Sequence, residues 1–177
     1  MKISKSFKIY IHIILLYLIS HNLYGAEDFS KNIVIHEKPT QIKELKFKDS
    51  DLNDVDLTNK KGNIMILNFW ATWCAPCKRE IPYLQKLEND FHDNQISFVS
   101  ISVDQNKTAW ENMVKSKGLK GIQLYAPPQQ AQTFKDQYLI SGIPRFILLD
   151  KEGKIINANA PRPSGNIRDI ISKLKGI

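Results

Sequence analysis

Cys74 and Cys77 are the only two cysteines of the 177-residue chain, and two residues separate them. They stand in Asn68-Phe69-Trp70-Ala71-Thr72-Trp73-Cys74-Ala75-Pro76-Cys77-Lys78, where an apolar run stops and a helical period starts. A helix N-terminus carries unpaired N–H groups and a partial positive charge. A thiol placed there has its anionic form favoured, so Cys74 is expected to have a depressed pKa and to act as the nucleophile. Cys77, one turn later and turned to the core, is the expected resolving partner that closes a disulfide. Pro76 suits the first helical turn, where its missing N–H is not needed. The pattern reads as redox chemistry.

A C-x-x-C pair also nucleates metal ligation, but a structural zinc site needs four ligands. After the N-terminal segment the chain offers only His36 and His92, and neither has paired-ligand spacing. His92, near a helix end, reads as a solvated cap. No metal and no cofactor are expected.

The elements that must position the pair follow from periodicity. Ile64–Trp70 is nearly all apolar with one Asn, as buried central strands are. Cys77, Ile81, Leu84, Leu87 and Phe91 recur at spacings of three and four, predicting a helix over residues 74–91. Pro82 removes a backbone donor within it and predicts a kink. Residues 96–103 alternate into a second buried strand that ends at Asp104. Thr108 is the expected cap of a helix carrying Trp110, Met113 and Val114. A short strand at Ile122–Tyr125 leads through Pro127-Pro128 into a helix containing Phe134 and Tyr138.

Gly142-Ile143-Pro144 precedes another strand, Arg145–Leu149. Asp150-Lys151-Glu152-Gly153 is a hairpin turn into a strand at residues 154–157. The last predicted helix covers residues 166–174, with Ile167, Ile170, Ile171 and Leu174 as its apolar stripe. Upstream, residues 42–57 suggest a small hairpin. The order argues an α/β sandwich with a mixed central sheet flanked by helices.

Length allows one sizeable core, and 42% hydrophobic with 24% charged residues is ordinary for a globular domain. Net charge is +7, falling to +4 without Lys2, Lys5 and Lys8, and basic residues cluster only in short pairs. Nucleic-acid binding is not suggested. Those three lysines precede an apolar run over residues 9–19, then polar residues and Gly25-Ala26. That is the order of a secretory signal peptide, with retention as an N-terminal anchor as the alternative. Residues 1–25 are assigned to it, 26–41 to an arm, and 42–177 to the folded domain. Export places the chain in an oxidising compartment, where secreted proteins often carry structural disulfides. With no other cysteine to serve that purpose, the pair must do something other than staple the core.

Asn68 to Lys78, then Glu80 and Pro82, then the distant Ile143-Pro144, closely resemble the thioredoxin fold and, more narrowly, exported TlpA/ResA-like thioredoxins. The resemblance covers roughly residues 45–174. It implies a cis Ile143-Pro144 bond packed against a Cys74–Cys77 disulfide, and a client-binding surface formed by Trp73, Ala75, Pro76, Ile143 and Pro144. Trp70 fills the core. It also implies a reductase of client protein disulfides, of the cytochrome c maturation type or a general periplasmic reductase, fed by a membrane thiol electron donor. The chain is read as a monomer. Cytosolic thioredoxins place a buried Asp where this chain has Asn68, which cannot titrate. In the ResA-like group a Glu matching Glu80 assists the thiol chemistry, so Glu80 is the candidate proton relay. Two alternatives share the fold. A peroxiredoxin would need its Thr one residue farther from the cysteine than Thr72 is from Cys74, and a preceding proline. A copper carrier would use a C-x-x-x-C spacing with a downstream His.

Overall fold

The structure, a computed structural model, describes residues 46–49, 53–57 and 63–174, all within one compact unit, Lys38–Ile177. The expected signal segment (1–25), the arm (26–41) and His36 lie outside the described residues. At the centre is β3 (Ile64–Trp70), buried at every position as its apolar run predicts. It pairs in parallel with β4 (Ile96–Ser102), which pairs in parallel with β5 (Ile122–Tyr125). On its other side β3 runs antiparallel to β6 (Arg145–Leu149), and β6 antiparallel to β7 (Ile155–Ala160). The predicted hairpin is β1 (Lys46–Asp49) with β2 (Asp54–Asp56), and β1 joins the sheet beside β5. The result is one mixed seven-stranded sheet, β2-β1-β5-β4-β3-β6-β7.

Strand alternation sends side chains to two faces, and helices cover both. Met65, Leu67 and Phe69 join Val99, Ile101 and Leu124 on one face. That face packs on Trp110 of α2 (Lys107–Lys117) and on Ala131 and Phe134 of α3 (Pro128–Gln137). Ile64 and Ile66 join Phe98, Phe146 and Leu148 on the other face. They pack on Leu84 and Leu87 of α1 (Ala75–Asp90) and on Ile167 and Ile171 of α4 (Ile167–Ile171). Arg168 of α4 pairs with Asp90 at the end of α1 and lies 5.7 Å over the Phe91 ring. Hydrogen bonds from Lys86 and Arg168 hold the exposed Asp90 carboxyl below its ordinary range.

Three boundaries depart from the sequence expectations. The cap of α2 is Asn106, whose side chain accepts the Ala109 N–H at 3.1 Å, so Thr108 already sits inside the helix. An amide oxygen at the N-cap reaches the N–H three residues on, which a residue in the first turn cannot do for its own helix. The last helix is five residues long rather than nine, since Ser172 and Lys173 fold into turns. Strand β7 runs to Ala160, three residues past the expected end. Helix α1 has Pro82 inside it, as the sequence predicts.

Phe134 joins the sheet to its outer helix. It stacks on Phe47 at 5.1 Å and lies 6.1 Å from Tyr138 and 6.2 Å from Phe69. It is 3% exposed. Phe134→Ala should therefore cost about 3–5 kcal/mol of unfolding free energy. Denaturant unfolding of the oxidised protein checks this, and a loss under about 1 kcal/mol would mean that the cluster collapses around the cavity.

Candidate active site

Strand β3 ends at Trp70, and four residues carry the chain into α1. Cys74 is the N-cap of that helix, in extended conformation (φ −79°, ψ 98°). Its Sγ accepts the Cys77 backbone N–H at 3.2 Å. A sulfur thus occupies the capping position that a Ser or Asp oxygen usually takes. Cys74 and Cys77 form a disulfide with a Cα separation of 5.2 Å, and both residues are buried. Pro76 sits in the first turn as expected.

The loop ahead of the pair is held by a group that sequence reasoning passed over as a strand end. Asp104, 1% exposed, accepts from the Thr72 N–H at 3.0 and 3.1 Å and from the Thr72 hydroxyl at 2.7 Å. The Ser102 hydroxyl donates to it at 2.7 Å. A second anchor comes from Val103, whose N–H donates to the Trp70 carbonyl at 2.9 Å. The available signal is an acidic residue just after a buried strand that carries no charge of its own. Burial and then the Asp104 charge push the nearby Tyr125 hydroxyl above its ordinary pKa.

Opposite the cysteines runs the segment before β6. The Ile143–Pro144 peptide is cis, and Ile143 places its carbonyl oxygen 3.8 Å from Cys74 Sγ. Arg145 braces this segment by donating to the Ala158 carbonyl and the Ser141 hydroxyl, each at 3.4 Å. Ile143 and Pro144 are half-buried, Trp73 is 65% exposed, and Ala75 is exposed beside it. Trp70 is buried. Of the residues expected to receive a client, Trp73, Ala75 and Pro76 flank the cysteines in the chain, and Ile143 meets Cys74 across the fold.

Glu80 is buried on α1, and both its oxygens accept from Ser164: Oε2 from the backbone N–H at 3.0 Å, Oε1 from the hydroxyl at 2.9 Å. It ties α1 to the segment after β7 rather than pairing with a surface lysine. Ser164 carried no sequence signal for this, because the contact spans 84 residues. Asn68 is buried on β3, and its Nδ2 donates to Ser100 Oγ at 3.3 Å. His92 is exposed, with its ring nitrogens near the Asn89 carbonyl and the Asp93 carboxylate. Among the described residues no group of three or more His, Cys, Asp or Glu is arranged to hold a metal.

The Redoxin family model matches residues 37–171, more than half of the chain. The chain belongs to this family. It is 32% identical over 108 residues to the thiol-disulfide oxidoreductase ResA of Bacillus subtilis, a match covering 61% of this chain and 59% of that protein. The chain thus spans under two thirds of the curated relative it matches. Among solved structures it is similar to a Bacteroides vulgatus protein described as a thiol-disulfide oxidoreductase, at 42% identity and a TM-score of 0.67. That match covers 78% of this chain and 94% of the other. The thioredoxin domain of another Bacteroides vulgatus thiol-disulfide oxidoreductase matches at 27% identity with a TM-score of 0.70, covering 77% and 96%. This Redoxin chain has the thioredoxin fold and carries a C-x-x-C pair, consistent with the TlpA/ResA-like group.

Replacing Asp104 by Asn turns an amide N–H₂ toward donors that already need acceptors. Asp104→Asn should cost about 1–3 kcal/mol of stability and slow the reaction of Cys74 by loosening its loop. Calorimetry together with the rate of Cys74 alkylation in the reduced protein tests this. Wild-type values in both would show that the loop holds itself.

Proposed function

We propose that this chain is an exported reductase of disulfides in client proteins, of the kind that serves cytochrome c maturation. The observation that carries the reading is the capping geometry. A sulfur that accepts a helix N–H is pre-organised to carry negative charge, and only Cys74 occupies that place. Cys74 attacks as a thiolate on one sulfur of the client disulfide. The client S–S bond breaks, the other client sulfur leaves as thiolate, and a Cys74–client mixed disulfide forms. Cys77 then loses its proton and attacks Cys74 Sγ, expelling the second client sulfur. The client gains two electrons and takes up two protons, and the protein is left with the Cys74–Cys77 disulfide. Two electrons from a membrane thiol donor reset it.

Client binding falls to the surface around the pair. An extended client segment pairs with the backbone of Ile143 while its side chains rest on Trp73, Ala75, Pro76 and Pro144. The apolar, exposed Trp73 supplies contact area that tolerates many client sequences. The order of lysines, apolar run and small residues over positions 1–25 supports export. Among the described residues no helix is long and apolar enough to cross a membrane. The reading is of a monomer that binds no nucleic acid and needs no cofactor.

A Cys77→Ser variant should accumulate client proteins as mixed disulfides through Cys74, released by dithiothreitol and visible on non-reducing gels. Cys74→Ser should trap none. A stronger trap from Cys74→Ser would reverse the two roles, and no trapping from either would remove protein disulfides as the substrate.

A further inference from the structure

The first turn of a helix favours acidic side chains, because its unpaired N–H groups carry partial positive charge. Helix α1 has none there. Instead Lys78 and Arg79 follow the C-x-x-C pair at once, and both are exposed. The Lys78 N–H donates to the Cys74 carbonyl at 3.1 Å, which sets this lysine one turn on from Cys74. Arg79 is likewise one turn on from Ala75, the exposed residue between the cysteines. At the positive end of the helix dipole these two cations work against the helix that carries them. Helix stability does not account for them.

Two arginines from other segments border the pair. Arg145 lies two residues after Ile143, whose carbonyl oxygen stands 3.8 Å from Cys74 Sγ. Its guanidinium donates to neutral oxygens, those of the Ala158 carbonyl and the Ser141 hydroxyl. Arg162 is exposed on the segment that Ser164 fastens to Glu80, three residues after Cys77. Among the described residues none of these four cations takes part in an ion pair. Cations elsewhere do: Lys86 and Arg168 share Asp90, Lys48 meets Asp54 and Lys107 meets Glu111. The acidic residues of the segments around the pair are Glu80 and Asp104, and both are buried. Their oxygens are turned to Ser164, Thr72 and Ser102, so a docking chain meets the cations. Residues 70–83, 103–106, 140–146 and 161–165 thus carry four basic residues and no exposed carboxylate.

We propose that this rim selects client segments with aspartate or glutamate beside the disulfide, an inference that rests on the reading of the chain as a client reductase. A client carboxylate meets Arg79 or Arg162 as a two-point hydrogen-bonded pair, the geometry that suits a guanidinium. Lys78, the cation nearest Cys74 in the chain, attracts the acidic segment as it arrives. Exposed charges of this kind act on the rate of encounter more than on the lifetime of the complex, and salt screens them. Trp73 adds apolar area that reads no particular sequence, so charge is what this surface has to discriminate with.

The test uses the reduced full chain and three disulfide-linked peptides, identical except for Glu, Gln or Lys on either side of the cysteines. Each rate of reduction is divided by that peptide's rate with dithiothreitol, which removes the effect of flanking charge on the leaving thiol. The expected order at low salt is Glu, then Gln, then Lys, with about tenfold between the extremes, and the three converge at high salt. Lys78→Glu combined with Arg79→Glu should invert the order. Comparing peptides within one variant cancels any change in the reactivity of Cys74 itself. Both positions are exposed, and acidic residues suit that end of a helix, so the variant is expected to fold. Equal ratios for the three peptides at low salt, or an unchanged order in the double variant, overturn the inference and leave the reductase reading intact. Reduction of none of the peptides would remove that reading, and the inference with it.

Discussion

One sulfur at the end of one helix sets the terms for the rest of this structure. The N-terminus of α1 presents the Cys77 N–H to Cys74 Sγ, a bond of 3.2 Å. A helix end of this kind favours the thiolate. Two features oppose it. Cys74 is 4% exposed, so its charge is poorly hydrated. The Ile143 carbonyl oxygen at 3.8 Å offers an acceptor to a thiol but repels a thiolate. Stabilising a thiolate strongly makes its disulfide an oxidant, so a reductant needs this balance to be moderate.

The surrounding network keeps the balance in place through three buried carboxylates used in different ways. Asp104 gathers donors from Thr72 and Ser102 and fixes the loop from which α1 starts. Glu80 receives both Ser164 donors and holds α1 against the segment after β7. Satisfied in this way, each acts as a brace, since a carboxylate fully engaged by donors stabilises one geometry. Glu88 Oε2 has no such partner. Its charge is correspondingly costly, and between about pH 4.5 and about 7 the folded state holds a proton there that the unfolded chain has released. Stability from this group therefore falls as pH rises through that interval. A native chain that keeps an uncompensated buried acid gives up stability above the range in which that acid holds its proton.

Much of this was legible in the sequence because local patterns carried it. The bounds of β3, β5 and β6 follow from short apolar runs flanked by turn residues. The chemistry follows from Cys74 and Cys77 standing at the join between two periods. What was not legible depends on distant partners. Thr108 looked like a cap because hydroxyls cap helices, but Asn106 two residues earlier reaches the right N–H. Ile167, Ile170, Ile171 and Leu174 have helical spacing, yet only the first three lie in the five-residue α4. Glu80 was visible as a carboxylate near the pair, while its partner Ser164 was not. Glu88 was missed because the apolar stripe was read through Leu87. Its spacing from Cys77, Ile81 and Leu84 put a charged residue on the buried face, and that was the available signal.

The reduction potential of the Cys74–Cys77 pair reads this balance directly, because it compares the dithiol with the disulfide in the same fold. Equilibration against glutathione and dithiothreitol buffers at pH 7 measures it. A moderate thiolate stabilisation predicts a potential near or below ~−270 mV, the range of thioredoxin. A value near ~−120 mV, close to the strong oxidant DsbA, would contradict the account and make this chain a donor of disulfides.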